Sequence, residues 1–140
     1  EAGARCDRAR ALAPDSPEAG SHRAACLQMM HRFDEAQVSV TFSSGWDMLG
    51  LTDQLVHLQQ QAYRARGFGD FWQHMLVAEG AVDLAVDAVG LQPYDLAAVM
   101  VIVEEAGGTF TDRHGERTFM SNTAISSNGL LHHCARPLAG

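Results

Sequence analysis

The chain has 140 residues, of which 46% are apolar and 19% charged, and this composition is typical of one compact globular domain rather than of a disordered or fibrous chain. The formal net charge is −7, with arginine but no lysine, and most of the negative charge follows residue 33, which argues against a nucleic-acid partner. The longest apolar run covers Leu96 to Val103, so we expect no membrane span, and since no secretory leader is recognisable we expect a cytoplasmic location.

Residues 1–33 differ in character from the rest of the chain. They are rich in Ala, Arg, Gly and Pro, with poor apolar spacing, so we expect a loosely ordered segment with at most a short helical piece around Ala24 to Met30. The three cysteines, Cys6, Cys26 and Cys134, are odd in number and lack a Cys-x-x-Cys spacing, which favours reduced thiols. An ordered domain is predicted over residues 34–140.

The ordered part begins with a strand and a helix. Apolar and polar residues alternate from Val38 to Ser43, which predicts a half-buried strand. Leu51, Leu55, Leu58 and Ala62 recur at steps of four, three and four, and this spacing predicts a helix from about Thr52 to Arg64 with one apolar stripe.

A loop, a helix and a strand follow. The glycines around Phe68 predict a tight loop, and Asp70 is placed to cap a helix that runs to Gly80. That helix is apolar on most sides, so we expect it to be buried. The alternation from Val82 to Asp87 then predicts a second strand, with one face that tolerates polar residues.

Predicted helices and strands also alternate in the last third of the chain. Pro93 opens and Gly107-Gly108 closes an apolar stretch that is compatible with a buried strand over Val99 to Val103 but is long enough to favour a helix. Short strands are predicted at Thr109 to Thr111, before a turn at Asp112 to Gly115, and at Ala124 to Ser126, before a terminal helix through Leu130 and His133. Alternating strands and helices predict an α/β class.

Several acidic residues have both a structural and a functional interpretation. Asp70 is a helix cap or, if it faces a cleft, a partner for a cationic group, and its charge argues against phosphate binding by the Gly67-Phe68-Gly69 turn. Asp95, in the first turn of its helix, is either a helix-start acid or a ligand for a hard cation such as Mg²⁺. Asp83 and Asp87 leave their strand on one face, either toward the same cleft or into solvent.

The cluster His132-His133-Cys134 could in principle bind zinc. Adjacent residues on a helix point about 100° apart, so they rarely serve one metal, and we do not assign a zinc site.

Five motifs together suggest a family. In chain order and spacing they resemble the C-terminal half of the inositol monophosphatase family: Arg66 to Trp72, Val77 to Asp83, Tyr94 to Ala98, Glu105 to Gly108 and Ser127 to Leu130. The Gly69-Asp70-Phe71-Trp72 string looks like the histidinol-phosphate phosphatase branch of that family.

The resemblance implies a layered α/β/α/β/α sugar-phosphatase fold, Mg²⁺ dependence and metal-assisted attack of water on a small phosphomonoester. By the same resemblance Asp95 is the metal ligand, Asp70 and Phe71 contact the alcohol part of the substrate, and Asp87 approximately matches an acid that reaches the same group. An acid at position 70 suits a substrate with an ammonium group, which histidinol phosphate has and inositol phosphate lacks. No catalytic residue is assigned in this half.

The family's other half carries a Glu-Glu pair and an Asp-Pro-x-Asp-Gly-Thr string, and the chain lacks that string. We therefore expect a portion of a Mg²⁺-dependent phosphomonoester hydrolase, specific for histidinol phosphate, that forms a homo-oligomer or needs the N-terminal metal-binding half. Two alternatives remain: an inositol monophosphatase-like enzyme of broad substrate range, and a non-catalytic remnant or interaction module.

Overall fold

The structure is a computed structural model that describes residues 35–87, 89–129 and 131–139. The segment predicted to be loosely ordered, including the helical piece around Ala24 to Met30, lies outside the described residues. Within the described part of the chain, no helix is long and apolar enough to cross a membrane.

The described residues form a mixed five-stranded sheet. In spatial order the strands are β2, β1, β3, β5 and β4; the first three run parallel, and β5 is antiparallel to both β3 and β4. The strands are β1 (Gln37–Val40), β2 (Arg64–Arg66), β3 (Leu84–Asp87), β4 (Thr109–Thr111) and β5 (Ala124–Ser127).

Helices cover both faces of this sheet. They are α1 (Gly45–Leu49), α2 (Thr52–Gln61), α3 (Asp70–Ala78), α4 (Pro93–Glu105) and a 3-10 helix (His132–Ala139). One apolar core joins α1, α2 and the 3-10 helix to β1, β3 and β5, and a second joins α4 to β4 and β5, with Met75 of α3 against it. This layering is that of an α/β domain, as the sequence predicts.

Strand β1 is shorter and more deeply buried than predicted. It ends at Val40, and the aromatic side chain of Phe42 is exposed. Because β1 lies between two other strands, with helices on both sides, Ser39 is as buried as Val38. Its hydroxyl donates a hydrogen bond of 2.8 Å to Oε1 of Gln73 on α3, which offsets the cost of burying it. The expectation of a half-buried strand is therefore wrong.

Helix α2 confirms the apolar stripe, because Leu51, Leu55 and Leu58 are all buried. It ends at Gln61 rather than near Arg64, since Ala62 already has an extended backbone. The chain then forms the edge strand β2, which the sequence analysis missed.

Helix α3 departs most from prediction. Phe71 and Trp72 are 64% and 54% exposed, whereas Gln73 and His74 are fully buried. The buried side of this helix is polar because the sheet presents hydroxyl groups to it, Ser39 from β1 and Ser126 from β5.

Helix α4 confirms the prediction of a helix opened by proline and closed by glycine. Pro93 occupies the first helical position, and the backbone N–H of Gln92 donates to Oδ2 of Asp95 at 3.0 Å. Gly108 lies so close to β5 that a Cβ atom there would be 2.8 Å from the carbonyl oxygen of Ser127. The terminal helix begins at His132 and has 3-10 geometry; Leu130, through which a helix was predicted, lies outside the described residues.

Candidate functional site

A cavity of about 530 Å³ opens between α3, α4 and the end of β3. The four residues singled out from the sequence, Asp70, Phe71, Asp87 and Asp95, all line it. The remaining lining residues are mostly apolar and come from α3, from α4 and from the loop before α4: His74, Met75, Leu91, Leu96, Ala98, Val99 and Ile102. Three carboxylates and no arginine among these residues make the described wall acidic, so it suits a cation rather than a bare anion.

Asp95 lies at the mouth of this cavity, in the first turn of α4. Its side chain is exposed, and Oδ2 accepts the backbone N–H of Gln92. Among the described residues it forms no ion pair with an arginine. The helix-start role and an accessible carboxylate therefore coexist, since the second oxygen remains available to a ligand.

Asp87 ends β3, and its side chain points to the face of the sheet covered by α3. It is 4% exposed, and its Oδ2 lies 3.5 Å from Nε2 of His74. The alternative of a solvated strand edge is wrong, because both Asp83 and Asp87 are buried. The expected cleft with Asp95 is found for Asp87 but not for Asp83. Asp83 accepts the backbone N–H of Gln37 at 2.8 Å and lies 3.4 Å from Nδ2 of Asn128, so it joins strands away from the cavity.

Asp70 and Phe71 form the start of α3. Asp70 is not the helix cap that was predicted, because it is the first helical residue and Gly69 occupies the N-cap position. Its backbone has a positive φ of 48°, a conformation that Asp and Asn adopt more readily than other residues with a side chain. The exposed carboxylate lines the cavity instead of the helix end.

A buried hydrogen-bond network positions the loop that precedes α3. Gln73 accepts from the Ser39 hydroxyl and donates to Oγ1 of Thr41 at 2.8 Å. Ser39 Oγ also accepts the backbone N–H of Phe68 at 3.3 Å. These bonds tie the loop and the first turn of α3 to β1, and therefore set where Asp70 stands.

His74 lines the cavity and was missed by the sequence analysis. It is 1% exposed, and its Nδ1 lies 2.7 Å from Oγ of Ser126. Its Nε2 has no hydrogen bond with good geometry despite being buried. The signal was available, because residues four apart lie on one side of a helix and His74 follows Asp70 by four.

The described residues do not form a metal site by themselves. They contain no group of three or more His, Cys, Asp or Glu side chains close enough to hold a metal ion. An exposed carboxylate at a cavity mouth is nevertheless the hard oxygen donor that Mg²⁺ takes, so Asp95 fits one position of a site shared with other ligands.

The His132 ring contacts hydroxyl groups of two strands. Its Nε2 lies 2.8 Å from Oγ1 of Thr111, and its Nδ1 lies 3.0 Å from Oγ of Ser127. Burial lowers the pKa of His132 below its usual value, and the neighbouring His133 lowers it further. Both ring nitrogens therefore serve the local structure.

Comparison with known proteins identifies the family. The model of the inositol monophosphatase family matches residues 35–139. The chain belongs to the inositol monophosphatase family. This confirms the resemblance inferred from the five motifs, and the match covers all of the described residues.

Relatives within this family narrow the comparison. The chain is 40% identical over 121 residues to the histidinol-phosphatase of Streptomyces coelicolor, covering 81% of this chain and 45% of that protein. It is 40% identical over 97 residues to the histidinol-phosphatase of Mycobacterium tuberculosis, covering 69% of this chain and 37% of that protein. The chain therefore spans less than half the length of these two relatives.

Solved structures of inositol monophosphatases share the fold. An IMPase of Thermotoga maritima superposes with a TM-score of 0.65 at 27% identity, over 76% of this chain and 41% of that chain. The inositol monophosphatase from Anabaena superposes with a TM-score of 0.66 at 22% identity, over 76% of this chain and 44% of that chain. The predicted layered α/β fold of this family is thereby confirmed.

Proposed function

We propose that the chain forms the substrate-recognition side of a Mg²⁺-dependent phosphomonoesterase that acts on histidinol phosphate. The observation that carries the proposal is the cavity that brings Asp70, Asp87 and Asp95 together with Phe71. The similarity to two histidinol-phosphatases supports the choice of substrate.

Charge favours this substrate over inositol phosphate. The described wall of the cavity carries carboxylates, which attract the ammonium group of histidinol phosphate. Inositol phosphate has no cationic group to offset the desolvation of these acids. The phosphate group is repelled by the same wall, so we propose that it is held by a metal ion and by residues outside the described part of the chain.

Each cavity residue has a role in this proposal. Asp95 would hold the metal ion, which when bound lowers the pKa of an attacking water and neutralises the leaving oxygen. Asp70 accepts the substrate ammonium, and Asp87 accepts another N–H of the alcohol part. Phe71 covers the apolar carbons of the substrate, and the apolar side chains of α4 exclude water from around it.

A second candidate is a phosphatase of broader range. The chain is 46% identical over 61 residues to the bifunctional phosphatase IMPL2 of Arabidopsis thaliana, and 46% identical over 57 residues to a fructose-1,6-bisphosphatase/inositol-1-monophosphatase of Thermotoga maritima. The name of the second relative favours inositol phosphate as a competing substrate. The cytoplasmic location, the requirement for an N-terminal half and the homo-oligomer stay predictions.

A chimera tests the proposed function. Residues 35–139 replace the matching segment of the Streptomyces coelicolor histidinol-phosphatase, and phosphate release is measured with histidinol phosphate and with inositol phosphate, with and without Mg²⁺. We expect Mg²⁺-dependent hydrolysis that prefers histidinol phosphate. Equal use of both substrates favours the broad phosphatase, and a folded chimera that hydrolyses neither favours the non-catalytic alternative.

A further inference from the structure

His74 has an unusual combination of burial and hydrogen bonding. Its ring is 1% exposed between α3 and β5, and it lines the cavity behind Asp87. Nδ1 has a short contact of 2.7 Å with the Ser126 hydroxyl, whereas the buried Nε2 has no hydrogen bond. A buried ring nitrogen without a hydrogen bond is costly, so its position 3.5 Å from Oδ2 of Asp87 calls for a physical reason.

The contacts of the ring distinguish the two tautomers that His74 can adopt. If Nδ1 carried the proton, the lone pair of Nε2 would face the Asp87 carboxylate at 3.5 Å, and two acceptors would repel each other. If Nε2 carries the proton, Ser126 donates its O–H to Nδ1 and the Nε2–H points toward Asp87 Oδ2. The second arrangement satisfies the short contact and places opposite partial charges across the longer one.

We propose that Ser126, His74 and Asp87 form a relay in which His74 is a positioning residue for the Asp87 carboxylate. The relay connects α3 to β5 and to the end of β3, and these two strands pair with each other in the sheet. A closing movement of about 0.6 Å would bring Nε2 and Oδ2 to an ordinary hydrogen-bond distance of about 2.9 Å. This movement accompanies substrate binding, because the substrate N–H groups draw the carboxylate into a single orientation.

The relay makes His74 a determinant of substrate specificity. A ring N–H that bonds one oxygen of the Asp87 carboxylate fixes the orientation of that carboxylate beside the cavity. His74 touches no reacting atom, so its loss should weaken binding of the substrate alcohol part and leave the chemical step intact. This consequence rests on the proposed function, whereas the tautomer of His74 does not.

Two amide substitutions distinguish the roles of the two ring nitrogens of His74. In His74→Gln the amide nitrogen can occupy the place of Nε2, and in His74→Asn the amide can occupy only the place of Nδ1. In the chimera we expect His74→Asn to raise the KM for histidinol phosphate by about tenfold with kcat within about twofold, and His74→Gln to recover most of the loss. Ser126→Ala should raise the KM, while Ser127→Ala is the matched control, because Ser127 contacts His132 rather than the cavity.

A spectroscopic measurement on the 140-residue chain decides the relay independently of activity. Long-range ¹H–¹⁵N correlations of the His74 ring should show the Nε2–H tautomer, and Ser126→Ala should convert this signal to a mixture. An Nδ1–H tautomer overturns the relay. So does a set of His74 variants that lowers kcat and thermal stability together with unchanged KM, which would be a purely structural role. An inactive but folded chimera overturns the proposed function and leaves the tautomer result to decide the relay.

Discussion

Asp70→Asn in the chimera should lower the preference for histidinol phosphate over inositol phosphate. Asn keeps the shape of Asp and tolerates the positive φ of 48° at this position. Substitution by Thr would be a poorer test, because its β-branched side chain would add backbone strain to the loss of charge. The substitution therefore removes the charge and little else. Asp70 is exposed and lines the cavity, so the ammonium that it attracts stays partly solvated.

The size of the effect follows from that exposure. Hydrogen bonds to charged groups contribute about 1.5–3 kcal/mol, and partial solvation favours the lower end of this range. We expect the ratio of the two kcat/KM values to fall by roughly tenfold, which corresponds to about 1.4 kcal/mol. Most of the change should come from the KM for histidinol phosphate.

The assay is initial-rate phosphate release with both substrates at saturating Mg²⁺. The matched control is Asp53→Asn, because Asp53 is an exposed acid in the first turn of α2 that does not line the cavity. A ratio that changes by less than twofold in Asp70→Asn would refute the assignment of Asp70 to the substrate ammonium.

Three further predictions concern stability. Gly108→Ala should destabilise the fold by about 1–3 kcal/mol, because the added Cβ would lie 2.8 Å from the carbonyl oxygen of Ser127 and 2.9 Å from Cγ1 of Val103. Thermal unfolding measures the effect, and an unchanged midpoint would contradict the close approach. Leu55→Ala should cost about 2–5 kcal/mol in urea unfolding, because Leu55 is 0% exposed in the core beneath α2, and a loss under 1 kcal/mol would mean that the site is not well packed. The pKa of His132 is lower in the folded chain than its ordinary value of 6.5, so below pH 6.5 the unfolded chain binds a proton more readily than the folded chain does. The folded chain therefore loses stability as the pH falls from 6.5 toward the lower pKa of the folded state. His132→Gln should flatten this part of the profile of unfolding free energy against pH, and identical slopes in both proteins would argue against it.

Local sequence signals predicted much of the fold. Pro93 at a helix start, the Gly-Gly pair after α4 and the spacing of Leu51, Leu55 and Leu58 each act within a few residues, so they could be read without tertiary context. The burial of Ser39 could not be predicted from local sequence, because it follows from the place of β1 between two strands and beneath α3. Burial of both faces overrides a polar and apolar alternation that is typical of a half-exposed strand.

Helix α3 shows the same limit for the site. The apolar residues Phe71 and Trp72 suggested a buried helix, yet its buried side carries Gln73 and His74, because hydroxyls from two strands distant in sequence face it. The convergence of Asp70, Asp87 and Asp95 came from the family resemblance, since spacing alone also allowed three unrelated structural roles. The contact of His74 with Ser126 joins residues 52 positions apart, and no local pattern reveals it.

The most direct measurement of the central claim is the Mg²⁺ dependence of the chimera after Asp95→Asn. Asp95 is an accessible first-turn carboxylate whose Oδ2 serves the helix start, and Asn can still accept that backbone bond. If Asp95 holds the metal ion, kcat/KM should fall by roughly 100-fold or more, and the Mg²⁺ concentration for half-maximal activity should rise, while Asp53→Asn leaves both unchanged. Full activity and an unaltered Mg²⁺ titration in Asp95→Asn would contradict the account.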